Sequence, residues 1–156
     1  MSYISDIRSK VGHSPVFMPF AACVIIKNNK ILLQKRTDDG TWAFHGGCLE
    51  LGETFEEALF RELKEELHIQ PINYKIISIC SGKEMYHVYP NGDQTYPVGV
   101  LYLVTSYKGK LMPDKEEVSD VCWFSLDNLP DNIFDSDKIY IPEVLSFYRK
   151  YRRKRK

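Results

Sequence analysis

The sequence predicts an α+β domain, a sandwich of helices around a mixed β-sheet. Most of its apolar runs have strand character and several meet at hairpin-type turns. One strongly amphipathic helix interrupts them in the middle, and helical spacing returns only near the two ends. With 156 residues, 44% of them hydrophobic and 13% aromatic, the chain is sized for one domain and holds enough large apolar side chains to offset the entropy of ordering.

The elements follow in order. Ser2 to Val11 carries Ile4, Ile7 and Val11 at helical spacing, and Gly12-His13-Ser14-Pro15 ends that helix. Val16 to Ile26 and Ile31 to Gln34 read as strands joined by Asn28-Asn29, a pair that tolerates positive φ. Asp38 to Gly52 is loop-rich. Thr54 to Leu67 is the clearest helix, opened by the capping pair Thr54 and Glu57 and followed by Pro71. Tyr74 to Ser81 and Tyr86 to Tyr89 read as extended, and Pro90-Asn91-Gly92-Asp93 turns the chain into a strand from Thr95 to Tyr107. Val121 to Phe124 is a last short strand, and Ile139 to about Tyr151 a closing helix.

The formal net charge is zero, from 21 basic and 21 acidic residues, which argues against a generally basic nucleic-acid binder. The zero is a cancellation. Arg149 to Lys156 holds seven basic residues and no acid, leaving a body with 14 basic residues against 21 acidic ones. Gly47 to Ile69 alone holds seven glutamates against Arg61 and Lys64. The four cysteines, Cys23, Cys48, Cys80 and Cys122, show no C-x-x-C pair, so neither a disulfide framework nor a zinc site is expected. No signal-peptide pattern or membrane-spanning run is expected, and a reducing cytoplasm is the predicted compartment.

On the central helix Leu59, Leu63, Leu67 and Phe60 share an apolar arc of about 100° that should face the sheet. Glu62, Glu65 and Glu66 lie at i, i+3 and i+4 on a neighbouring arc, with neither Arg61 nor Lys64 expected between them. Glu53 precedes the helix, where its charge suits the dipole. A solvated acidic face is one reading of this pattern. The other is a site for Mg²⁺ or Mn²⁺, hard cations that neutralise clustered carboxylates, beside a glycine pair that lets the backbone approach closely.

Gly47-x5-Glu53-x7-Arg61-Glu62-Leu63-x-Glu65-Glu66-x-His68-Ile69 resembles the Nudix box, matching eight of its nine specified positions. His68 stands in place of the pattern's Gly, at a position where a left-handed conformation costs a non-glycine residue about 1 kcal/mol. The resemblance extends over residues 16–130, through Ile31 to Arg36, Gly40-Thr-Trp42, Gly46-Gly47, Glu117 and Val121 to Pro130. It implies a Nudix-type α/β/α sandwich with a catalytic loop-helix. Its parts would be a leading helix packed on the domain (1–15), the hydrolase domain (16–138), and a C-terminal helix with a basic tail (139–156).

The resemblance also implies hydrolysis of a nucleoside diphosphate linked to another group X, with a divalent cation as cofactor. Glu62 and Glu66 are the expected metal ligands, with Glu65 as a third ligand or proton acceptor and the Gly47 carbonyl completing the set. Arg61 either holds Glu53 by a bidentate pair, the favoured reading, or contacts phosphate. Glu117 is an extra ligand or base, or a solvated acid. Arg36, Trp42, Phe44, His45 and Tyr86 are expected to contact substrate, although the aromatic residues could equally be core. His45 stands where the family usually has Pro, and Tyr86 lies at an offset resembling dinucleoside polyphosphate hydrolases. The competing class is a non-catalytic nucleotide-sensing module on the same fold. The implied partner is a small nucleotide. A homodimer is compatible with the family, no membrane association is expected, and RNA binding by the basic tail ranks below its simple role at a helix C-terminus.

Overall fold

The computed structural model describes residues 2–155. Helix α1 (Tyr3–Val11) precedes β1 (Val16–Lys27), β2 (Lys30–Arg36), β3 (Trp42–Ala43) and β4 (His45–Cys48). Helix α2 (Phe55–Leu67) leads to β5 (Gln70–Cys80), β6 (His87–Val88), β7 (Gln94–Lys108) and β8 (Val118–Ser125), then α3 (Asp135–Lys138) and α4 (Ile141–Arg153). A single turn of 3₁₀-helix, Lys83–Met85, lies between the two segments expected to be extended, Tyr74 to Ser81 and Tyr86 to Tyr89.

One mixed sheet orders its main strands β3-β2-β1-β7-β5, with β8 on β2, β6 on β7, and β4 on the middle of β1, from Phe20 to Cys23. The β1–β2 turn is a hairpin with Asn28 and Asn29 at φ 50° and 60°, the mirror-image geometry that suits strand twist. Hairpins do not dominate as the turn signals suggested. The long central pairing, β1 with β7, is parallel, because the chain crosses from one to the other through α2 and β5.

Side chains alternate along β1 and divide the core between two faces. Ala21, Cys23 and Ile25 join Leu59, Leu63 and Leu67 of α2. Val24 and Ile26 join Val144 and Tyr148 of α4 on the other face. The basic C-terminus is therefore not a loose tail: α4 continues to Arg153 and buries Tyr148. Helix α1 buries none of its residues and docks by polar contacts, with Arg8 donating to the Gln94 carbonyl at 2.6 Å and the Tyr3 amide to Glu50 at 2.8 Å.

Both ends of α2 obey their local signals. The Thr54 hydroxyl accepts the Glu57 amide at 3.2 Å, and Glu57 accepts the Thr54 amide at 2.8 Å. His68 ends the helix in the left-handed region at φ 58°, ψ 31°, its strain offset by a 2.8 Å bond from Nδ1 to the Met112 carbonyl. Thr54→Ala removes one of the two reciprocal caps and is expected to cost about 1 kcal/mol, read as a lower urea midpoint at unchanged m-value.

Candidate active site

Helix α2 faces the Gly46–Gly47 stretch of β4, which brings no side chain of its own, and that contact places the carboxylates. A Cβ on Gly47 would lie 2.5 Å from Glu62 Oε1, and one on Gly46 would lie 2.1 Å from the Ala21 carbonyl oxygen. The two glycines thus serve different ends: Gly47 admits the Glu62 carboxylate, while Gly46, at φ 132°, lets β4 close on β1.

Glu66 is only 6% exposed, which the sequence reading did not anticipate. At 100° per residue it lies about 20° beyond Leu59, at the very edge of the apolar arc that faces the sheet. Its oxygens accept the Gln34 amide at 3.1 Å and the Gly46 N–H at 3.2 Å, both neutral donors. Loss of water dominates, aided by repulsion from Glu62 and Glu117, and pushes the carboxyl up to about 8. Glu62 is raised for the same first reason, although Arg61 opposes it.

Arg61 does lie among the acids. Its Nε and Nη2 clasp both Glu53 oxygens at 2.6 and 2.9 Å, and Nη2 also donates to the Cys48 carbonyl at 3.0 Å. Nη1 reaches Glu62 at 2.7 Å and Glu65 at 3.3 Å. One guanidinium thereby ties the loop carrying Glu53 to the helix, and the bond from Arg61 holds the Glu53 carboxyl below its ordinary range. Glu65 remains half-open, with 49% of its side chain exposed.

Among the described residues no three metal-ligating side chains are already gathered into a cage. The donor set nonetheless suits a hard divalent cation. It consists of oxygen atoms only, and Glu66 is a buried acid whose ionised form lacks a cationic partner. Mg²⁺ needs only one or two carboxylates beside substrate phosphates and water.

A cavity of about 180 Å³ opens beside Gly46 and Gly47, lined also by Arg36, His87, Phe134 and Asp137. Asp137 Oδ2 accepts the Phe44 amide at 2.7 Å, and removal from water pushes its carboxyl up to about 7. His87 sits edge-on between Tyr89 and Phe134, with ring centroids 4.6 and 4.7 Å away. Its Nε2 is buried and has no partner among the described residues, a rare condition that a ligand would relieve. Arg36 stacks on Phe134 at 4.3 Å while pairing with Asp38.

The five residues expected to meet substrate separate accordingly. Arg36, Phe44 and His45 line the cavity, although His45 is fully buried, and its ring nitrogens face the Leu32 carbonyl at 3.0 Å and Gln34 at 3.2 Å. Trp42 packs edge-on against Phe124 at 4.9 Å, away from that lining. Tyr86 is exposed, bonded to Gln94 at 2.7 Å and leaning on Tyr96. Glu117 is exposed near enough for its charge to raise both Glu62 and Glu66. Gln34, His87 and Asp137 carried no sequence signal. They come from three separate elements, and only folding aligns them.

A family model described as the NUDIX domain matches residues 18–144. Over 119 residues the chain is 34% identical to an ADP-ribose pyrophosphatase of Methanocaldococcus jannaschii, covering 74% of this chain and 66% of that protein. It is 31% identical over 120 residues to an NAD-capped RNA hydrolase of Vibrio vulnificus, covering 76% of this chain and 42% of the relative. It thus spans less than two thirds of either relative. Among solved structures, a MutT NUDIX hydrolase from Burkholderia pseudomallei superposes with a TM-score of 0.71 at 25% identity, covering 83% of this chain and 98% of that one.

Gly46→Ala should lower stability by at least about 2 kcal/mol, because backbone must move and the φ is unsuitable. Gly47→Ala should leave stability nearly intact, since only the end of the Glu62 side chain must shift. Parallel denaturant titrations distinguish the two. Asp137 has a folded pKa above its unfolded one, so its contribution is present at low pH and lost as pH rises from about 4 toward about 7. Across that window the wild type should therefore lose stability relative to Asp137→Asn, which keeps an acceptor for Phe44. Parallel pH dependence in the two proteins would refute the assignment.

Proposed function

The chain belongs to the NUDIX family, and on that premise we propose that it is a hydrolase dependent on Mg²⁺ or Mn²⁺ that cleaves the pyrophosphate of a nucleoside diphosphate joined to a second group. The observation that carries this reading is the approach of Glu62 and Glu66 to the side-chain-free surface of Gly46 and Gly47. Glu62 and Glu66 would hold the cation, with the Gly47 carbonyl as a further oxygen. Bound there, a divalent cation supplies charge neutralisation for phosphoryl oxygens and lowers the pKa of an attacking water.

The protein's own groups do the rest. Gln34 and the Gly46 amide fix the Glu66 carboxylate, and Arg61 fixes Glu62 against Glu53. Glu65, the accessible carboxylate of the set, takes the proton as water adds to one phosphorus and the bridging oxygen leaves with the other. Glu117 adds negative charge at the same mouth. The products are a nucleoside monophosphate and a phosphorylated second group.

The cavity is open to solvent on the side of the two glycines. It suits a single planar heterocycle, with Asp137 and the free His87 nitrogen meeting its polar edge and the phosphates outside at the glycines. The names of the relatives point to an adenosine diphosphate joined to a second ribose, the unit shared by ADP-ribose and NAD. A sensor that only binds this ligand would not need Glu53, Glu62, Glu65 and Glu66 arranged together around one arginine. The free cysteines are compatible with action in a reducing cytoplasm. Among the described residues no helix is long and apolar enough to cross a membrane.

The deciding experiment measures products from ADP-ribose, NAD, deoxynucleoside triphosphates, nucleotide sugars and dinucleoside polyphosphates with Mg²⁺ and with Mn²⁺. Turnover should be highest for ADP-ribose or NAD, whereas tight binding without turnover of any of them would establish the sensor instead. Glu62→Gln or Glu66→Gln should reduce kcat by more than about 100-fold with the fold retained. Gln34→Ala, which releases Glu66 and the His45 ring, should cost roughly 10–100-fold.

A further inference from the structure

The far end of α4 builds a second charged feature that the hydrolytic site does not use. Two hollows of about 350 and 400 Å³ adjoin at Thr105, Tyr151 and Arg155. Arg152 lines the first, and Lys75 and Lys154 line the second. Dipole complementarity accounts for basic residues at the end of a helix. It does not account for Lys75, on β5, converging on the same place from a separate element.

Neutral partners hold these cations. Lys75 lies over the Tyr151 ring at 5.8 Å, and Arg155 lies over it at 5.5 Å while donating to its hydroxyl. Arg152 lies over Tyr148 at 5.8 Å and reaches Asn29 at 3.4 Å. Among the described residues none of Lys75, Arg152, Lys154 and Arg155 forms an ion pair with a carboxylate. Their positions are preorganised and their charge is uncancelled, on a protein whose remainder is net acidic.

We infer that this groove, formed by Lys75, Arg152, Lys154 and Arg155 around Tyr151, binds the phosphate backbone of single-stranded RNA. A concave track of spaced cations fits a flexible polyanion. Asn28, Asn73 and Thr105 line it and offer partners for a ribose 2′-hydroxyl. A bilayer surface fits less well, since the apolar residues in its lining, Ile26 and Leu103, are buried in the core and offer nothing to insert. The groove lies on the same sheet face as the nucleotide cavity. Ala22 lines the cavity and Ile26 the groove, four residues and about 13 Å apart along β1. The inference does not depend on the proposed hydrolysis.

The test is fluorescence anisotropy of the full chain with a labelled single-stranded RNA, the same sequence as DNA, and phosphatidylserine vesicles as competitor. RNA affinity should fall about 50-fold between 50 and 200 mM salt, a logarithmic slope near −3 for about four neutralised phosphates. The variant combining Lys75→Gln, Arg152→Gln and Arg155→Gln should lose at least tenfold in affinity and most of that slope. Its circular dichroism and its hydrolysis of small nucleotides should stay unchanged. Arg152→Lys with Arg155→Lys should retain most of the binding. Unaltered affinity in the glutamine variant, or a flat salt dependence, overturns the inference. Equal binding of DNA, or binding of vesicles in place of RNA, overturns the assignment to RNA.

Discussion

Everything at the candidate active site depends on the contact of α2 with two residues that have no side chains, Gly46 and Gly47. Helix α2 buries Leu59, Leu63 and Leu67 on the sheet, and the same face brings Glu62 and Glu66 down with them. A buried carboxylate is costly unless something replaces its water. Here β4 supplies an amide N–H at Gly46 and an empty surface at Gly47, β2 supplies Gln34, and Arg61 supplies charge. Glu66 is the least compensated of the group, and its raised pKa is the measure of that deficit. A site that stores electrostatic demand in this way is poised for a cation. The hydrophobic packing of α2 is what keeps the carboxylates from escaping to solvent.

The same logic divides the molecule. The face of the sheet under α2 is dedicated to holding acids near the glycine pair. The face under α4 carries the cavity at one end and the cationic groove at the other, with Val144 and Tyr148 packed among them. The zero net charge of the chain is therefore two opposite fields separated by the thickness of a sheet.

Local signals were readable wherever one residue type is needed for one backbone state. Asn28-Asn29, the Thr54–Glu57 cap, the left-handed end at His68 and the turn at Gly92 all occur where the sequence places them. The carboxylate set was legible too, because its members share one helix and helical spacing brings them together. Arg61 holds Glu53 in the bidentate pair expected of it, but it also lies among the helix acids, because its long side chain reaches sideways to Glu62 and forward to Glu65, which angular position alone does not reveal. The parallel pairing of β1 with β7 was hidden for another reason: turn signals report neighbours in sequence, and this pairing joins strands far apart in it.

By itself, then, the sequence determined the fold class, the helix that bears the acids and the chemistry those acids imply, since each rests on spacing within a continuous segment. Only the tertiary structure decided that Glu66 is buried, that Gln34 and Gly46 hold it, that Asp137 and His87 share a cavity, and that Lys75 meets the end of α4. Those relations join segments remote along the chain, and they exist only once the sheet has set its register and its faces have been covered.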